Sequence, residues 1–228
     1  MRMPWQARKI NLTKATLSQI IAWVLVCLVV AASILAWTSS YQWHILPLST
    51  YEVFPVLGLL AFGLLWTTYT MTALGSYWSL GHHVLAQYFK WTGYAILALI
   101  CLHPGLLIYQ RFQDGYGLPP HSYESYVAPG LGWVTLLGTV SLFIFLAFEL
   151  RRFFGKYSWW HYVADASDLA MLFIAYHGLT LGNQVQIPWF KTIWWFYIVS
   201  LAFVLVYKYR TRLRTKILND KASPKLVQ

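Results

Sequence analysis

Two histidines, His103 and His177, have the settings in this chain most suited to chemistry. Each lies inside an apolar stretch, Ile100-Cys101-Leu102-His103-Pro104-Gly105 and Phe173-Ile174-Ala175-Tyr176-His177-Gly178. Ionisable side chains are costly inside a bilayer and mark a function with a specific partner. His103 follows Lys90 by 13 residues, and His177 follows His161 by 16. A helix rises about 1.5 Å per residue, so the two imidazoles fall at similar depth on two parallel helices. That arrangement suits a six-coordinate haem iron, which takes one neutral nitrogen on each face. It equally suits two histidines hydrogen-bonded across helices. Gly105 and Gly178 would leave room for a flat macrocycle, and Pro104, which has no N–H, would kink its helix. Arg111 and Lys191 stand where propionates would emerge. The other five histidines read as polar interfacial residues: His44 and His121 at one side, His82, His83 and His161 at the other.

The elements that must hold these residues follow from composition. Of the 228 residues, 58% are hydrophobic and 11% charged. Soluble domains average roughly 25% charged residues, which excludes an ordinary soluble enzyme, and the hydrophobic content excludes disorder. Two cysteines exclude a disulfide scaffold, and Cys27 and Cys101 read as small buried hydrophobes. There is no Gly-rich dinucleotide fingerprint and no P-loop. Asp, Glu, Lys and Arg are absent from 15–51, 53–89, 91–110, 125–148, 169–190 and 192–207. A spanning helix needs about 20 apolar residues, and lipid leaves the backbone to satisfy its own hydrogen bonds. The expectation is an all-α membrane protein, a six-helix transmembrane bundle with spans near 17–38, 53–74, 88–109, 129–149, 162–182 and 189–208. The apolar runs do not alternate, which argues against a β-barrel. The first is too long for a signal-peptide core.

Six spans put 15 of the 17 Lys and Arg on the side of the termini and only Arg111 and Lys191 opposite. By the positive-inside rule, both termini are cytoplasmic. Residues 1–16 then form a basic cytoplasmic N-terminus, 17–208 the transmembrane domain, and 209–228 a basic cytoplasmic tail. The net charge of +10 is thus a topology signal with affinity for anionic lipid, and nucleic acid is not an expected partner. The expected location is the cell membrane, multi-pass.

Tyr88-Phe89-Lys90-Trp91-Thr92-Gly93-Tyr94, followed by His103-Pro104-Gly105-Leu106-Leu107, resembles the third span of the ferric reductase-like transmembrane domain. That superfamily includes ferric reductases, NADPH oxidases and the haem subunit of bacterial methionine sulfoxide reductase systems. Trp159-Trp160-His161 through His177 is similar to its fifth span. Two-haem members carry an inner and an outer histidine pair. Here Lys90 and Ala164 occupy the inner positions, so the resemblance implies one haem b in the outer half, ligated by His103 and His177. It further implies an oxidoreductase component that carries electrons across the membrane. The acceptor could be ferric or cupric ion, oxygen, a quinone or a periplasmic partner. Because no flavin or nucleotide domain is present, the donor is a separate cytoplasmic reductase, with FAD supplied by or shared with that partner, or a quinol. The rival reading is a redox-inactive structural or assembly subunit derived from the same fold.

Asp165 and Asp168 are three residues apart on one helix face, at about the depth of Lys90. An ion pair with Lys90 would fill the vacant inner haem site and lower the cost of burying these charges. A proton path, a transporter's cation site and simple capping of the span are the alternatives.

Overall fold

The computed structural model describes residues 4–43, 48–81, 83–150 and 154–222, and among them every regular element is helical. The elements are α1 (Pro4–Ser40), α2 (Thr50–Tyr77), α3 (Ala86–Gln113), the single turn α4 (His121–Glu124), α5 (Gly132–Glu149), α6 (Trp160–Leu181), a 3-10 turn (Asn183–Gln186) and α7 (Pro188–Ala222). Five of them, α1, α2, α3, α5 and α7, are long and apolar enough to cross a membrane. The expected fifth span exists as the 22-residue α6 but is not one of the five. Its two aspartates, two histidines, Trp160 and two tyrosines dilute its apolar content.

Local chemistry sets several boundaries. The Ser49 backbone N–H donates to the Glu52 carboxylate at 2.6 Å, half of a capping box that starts α2. Pro104 lies inside α3, which runs through it to Gln113. α7 continues well past Lys208, so the first part of the expected polar tail is helical.

Neighbouring helices run antiparallel. Trp37, near the end of α1, donates to the Glu52 carbonyl at the start of α2 at 2.6 Å. Tyr51 at the start of α2 donates to Asp114, just past the end of α3. α2 packs closely on α3 and α5 on α6, while α1 and α7 pack on α2. Hydrophobic burial cannot drive association inside lipid, so close packing of small residues matters more. α1 shows this: Ser18, Ala22, Ser33 and Ala36 lie on its fully covered face. Leu17, Ile20, Val24, Leu28 and Leu35 lie exposed on the others. Apolar surface of that extent suits lipid contact, not water. Cys27 and Cys101, expected in the core, are both exposed. In lipid the apolar outside is as suitable a place for a thiol as the inside. The core is aromatic, with Phe62 stacked on Trp194 at 4.3 Å and Trp66 tilted against Tyr197 at 4.6 Å between ring centroids.

Candidate functional site

Two helix hairpins each present one histidine in the same way. On α3, His103 Nδ1 lies 2.7 Å from the Phe54 carbonyl oxygen of α2. On α6, His177 Nδ1 lies 2.9 Å from the Val134 carbonyl oxygen of α5. A carbonyl can only accept, so each Nδ1 carries the proton and donates. In a neutral ring the Nε2 lone pair is then free. Among the described residues neither Nε2 has a hydrogen-bond partner. Both residues are half-buried. The two imidazoles lie within electrostatic range of each other. The direct bond between them that the sequence also allowed is not formed.

Glycines let the rings approach so closely. A Cβ at Gly58 would stand 2.7 Å from His103 Cε1, and one at Gly138 would stand 2.9 Å from His177 Cε1. Each glycine follows the accepting carbonyl by four residues, Phe54 to Gly58 and Val134 to Gly138, so one helical turn supplies both the acceptor and the notch. Gly58→Ala and Gly138→Ala should each push the imidazole off its carbonyl. If the pair holds a haem, its retention on gel filtration is expected to fall about tenfold, the lower figure for lost outer-shell support of a ligand. At Gly105 an added Cβ meets nothing within 4 Å, so Gly105→Ala should leave retention unchanged.

The donor set fits a haem. It offers one unprotonated nitrogen from each of two hairpins, and each ring is oriented by a backbone carbonyl, the usual outer-shell partner of a ligating histidine. Among the described residues the hairpins touch through α2 with α6 and α3 with α5, while α3 and α6 are not a closely packed pair. No group of three or more His, Cys, Asp or Glu that could hold a bare metal ion occurs among the described residues.

Other expected features are redistributed. The space beside Gly178, expected for a macrocycle, holds the Trp194 indole, to which an added Cβ would come within 2.5 Å. Trp194 is anchored there by its Nε1–H donating to the Ala175 carbonyl at 3.1 Å. Lys191 donates to Gln186 at 3.1 Å, while Arg111 is buried near the mouth of the α2–α3 hairpin. His161 Nδ1 donates to the Ser158 carbonyl at 2.5 Å in an exposed position, and His83 and His121 are also exposed. His44 and His82 lie outside the described residues.

The expected Lys90 ion pair does not form. Lys90 is exposed, with Nζ 5.8 Å from the Trp91 ring centroid. The aspartates are instead met by α7. Lys208 Nζ donates to both Asp168 oxygens at 2.7 and 2.6 Å, and Tyr209 donates to Asp168 at 2.9 Å. Arg212 donates to Asp165 at 2.5 Å. Depth along a helix is legible from residue spacing, but the direction around it is not. α3 buries Tyr88 and Thr92 and turns Lys90 outward.

Gly58, Gly138 and the carbonyls of Phe54 and Val134 are not legible as site residues in the sequence. Two four-residue spacings on segments remote from the histidines carry no signal until the helices are paired. No family model, no curated protein and no solved structure matches this chain.

Proposed function

We propose that this chain is a multi-pass membrane cytochrome that holds one haem b between His103 and His177. The observation that carries this reading is the matched pair of Nδ1-to-carbonyl bonds, which leaves a free Nε2 lone pair on each of two hairpins. A haem bound there would supply one-electron chemistry through its iron. The chain's own contribution is to fix both tautomers, to raise the basicity of both imidazoles through their carbonyl partners, and to keep the rings in apolar surroundings.

On this reading α6 also spans, as the fifth of six, and both termini are cytoplasmic, as the 15-to-2 distribution of Lys and Arg favours. The haem then lies in the outer half. The ferric reductase-like pattern around Lys90 to Leu107 supports outward electron delivery. The donor is a separate reductase carrying flavin, or a quinol, since no nucleotide motif occurs in the chain. The Asp168–Lys208 and Asp165–Arg212 pairs tie α6 to α7 on the cytoplasmic side, where a two-haem relative would have its inner group.

The test is a reduced-minus-oxidised spectrum of protein purified from haem-replete cells, with haem extracted and counted per chain. One haem b per chain with low-spin bands is expected. A colourless protein would instead favour the redox-inactive structural or assembly subunit, the reading that the indole wedged beside Gly178 supports.

A further inference from the structure

The end of α3 near the histidines carries a second feature, a cavity of about 560 Å³ lined by Tyr51, Arg111, Asp114, Tyr116 and Tyr126. That volume falls in the range of about 300–1,000 Å³ usual for small-molecule sites. Arg111 is only 6% exposed, yet among the described residues it has no ion-pair partner. Its Nη2 donates to Ser125, and its guanidinium lies 3.5 Å from the Tyr116 ring centroid and 5.7 Å from that of Tyr126. Its Nε is buried with no hydrogen-bond partner. A guanidinium cannot give up its proton; Asp114 on the same cavity acts on it electrostatically but makes no ion-pair contact with it, so an anion paired directly with Arg111 would lower the remaining cost of its burial.

The walls and rim narrow the class of anion. Tyr51 and Tyr126 stack with ring centroids 6.0 Å apart and planes within 8°, which favours a flat, partly apolar body. Asp114 sits on the rim, where Tyr51 and Gln110 donate to it and hold its carboxyl below the ordinary range. A fixed negative charge there disfavours a doubly charged anion such as phosphate and leaves a monoanion. Arginine pairs with a planar carboxylate through parallel N–H bonds.

We infer that this cavity is a carboxylate site, in which Arg111 supplies the positive charge and the tyrosine rings flank a planar ligand body. The carboxylate has two sources, a propionate of the haem or a small planar acid from solution. Only the first rests on the function proposed above. Phe54 connects the two regions, its ring centroid 5.4 Å from that of His103 and 5.9 Å from that of Tyr126.

Equilibrium dialysis of the full-length chain in detergent, using labelled benzoate and methyl benzoate, tests this without any redox assay. Haem-free protein should bind benzoate saturably and methyl benzoate at least tenfold more weakly. Arg111→Gln should weaken benzoate at least tenfold, and Lys191→Gln should not change it. Loss of benzoate binding on haem loading assigns the site to a propionate; unchanged binding assigns it to a free acid. A chain that takes up no haem still reports in the haem-free arm, so failure of the haem reading stays separate. Equal binding of ester and acid overturns the site, as does wild-type affinity in an Arg111→Gln variant with native helical circular dichroism. Should that variant not fold, Tyr116→Leu decides: a tenfold loss supports the site and an unchanged affinity overturns it.

Discussion

Alanine at either His103 or His177 is expected to remove the low-spin b-type spectrum, with haem occupancy at least tenfold below wild type. The expectation follows from the symmetry of the two settings. Each ring is held by one carbonyl bond and one glycine notch, and each contributes one free nitrogen. Six-coordinate iron needs both nitrogens, so a single loss leaves a five-coordinate site whose bands shift and weaken. Purified variants compared by pyridine haemochrome and visible spectra provide the measurement. His161→Ala serves as the control, because that ring is exposed and bonded to its own preceding turn. A full low-spin spectrum surviving in His103→Ala or His177→Ala would exclude this ligand pair, and loss of the spectrum in His161→Ala would point to a different one.

The largest effect on stability is expected at Asp168. Its side chain is 4% exposed and accepts two bonds from Lys208 and one from Tyr209. Removing one partner of a buried pair typically costs about 3–5 kcal/mol, because the remaining charge stays in poor surroundings. Lys208 is 32% exposed and can reach water in part, so Asp168→Ala should cost about 3 kcal/mol, the low end of that range. Replacing both residues with leucine removes the stranded charge and should restore much of the loss. Lys90→Leu should change stability by less than about 0.5 kcal/mol, as surface substitutions usually do. Unfolding in graded denaturing detergent, followed by circular dichroism, separates these cases. A Lys90→Leu loss as large as that of Asp168→Ala would place the ion pair where the sequence analysis expected it. Arg212→Ala, by contrast, breaks a pair whose partners are 44% and 37% exposed, and screening by water leaves that contact worth at most about 1 kcal/mol.

Much of this protein is legible along the chain because the membrane reduces the problem to one dimension. Uncharged runs bounded by Lys90, Arg111 and Lys191 mark helix positions to within a few residues of α2 (Thr50–Tyr77) and α3 (Ala86–Gln113). Hydrophobic length determines where the chain can be helical, and a histidine inside such a run stands out without any fold in hand. α6 is where that rule weakens, because Asp165 and Asp168 lower the apolar signal of a helix that forms nonetheless. What makes it form is pairing: Ser141 of α5 donates to the Ala170 carbonyl at 3.2 Å, and Lys208 and Arg212 of α7 meet the carboxylates.

By itself the sequence determined the helical, apolar character of the chain and singled out His103 and His177 as ionisable residues within apolar runs. Tertiary structure alone decided the protonation of those rings, because the carbonyls that hold their Nδ1 protons lie 49 and 43 residues away. It also decided that Lys208, not Lys90, neutralises Asp168. Spacing along a helix reports height, but which neighbour a side chain meets depends on the rotation of one helix against another. Packing at positions such as Gly58 and Gly138 sets that rotation, and it does so only once the helices are side by side.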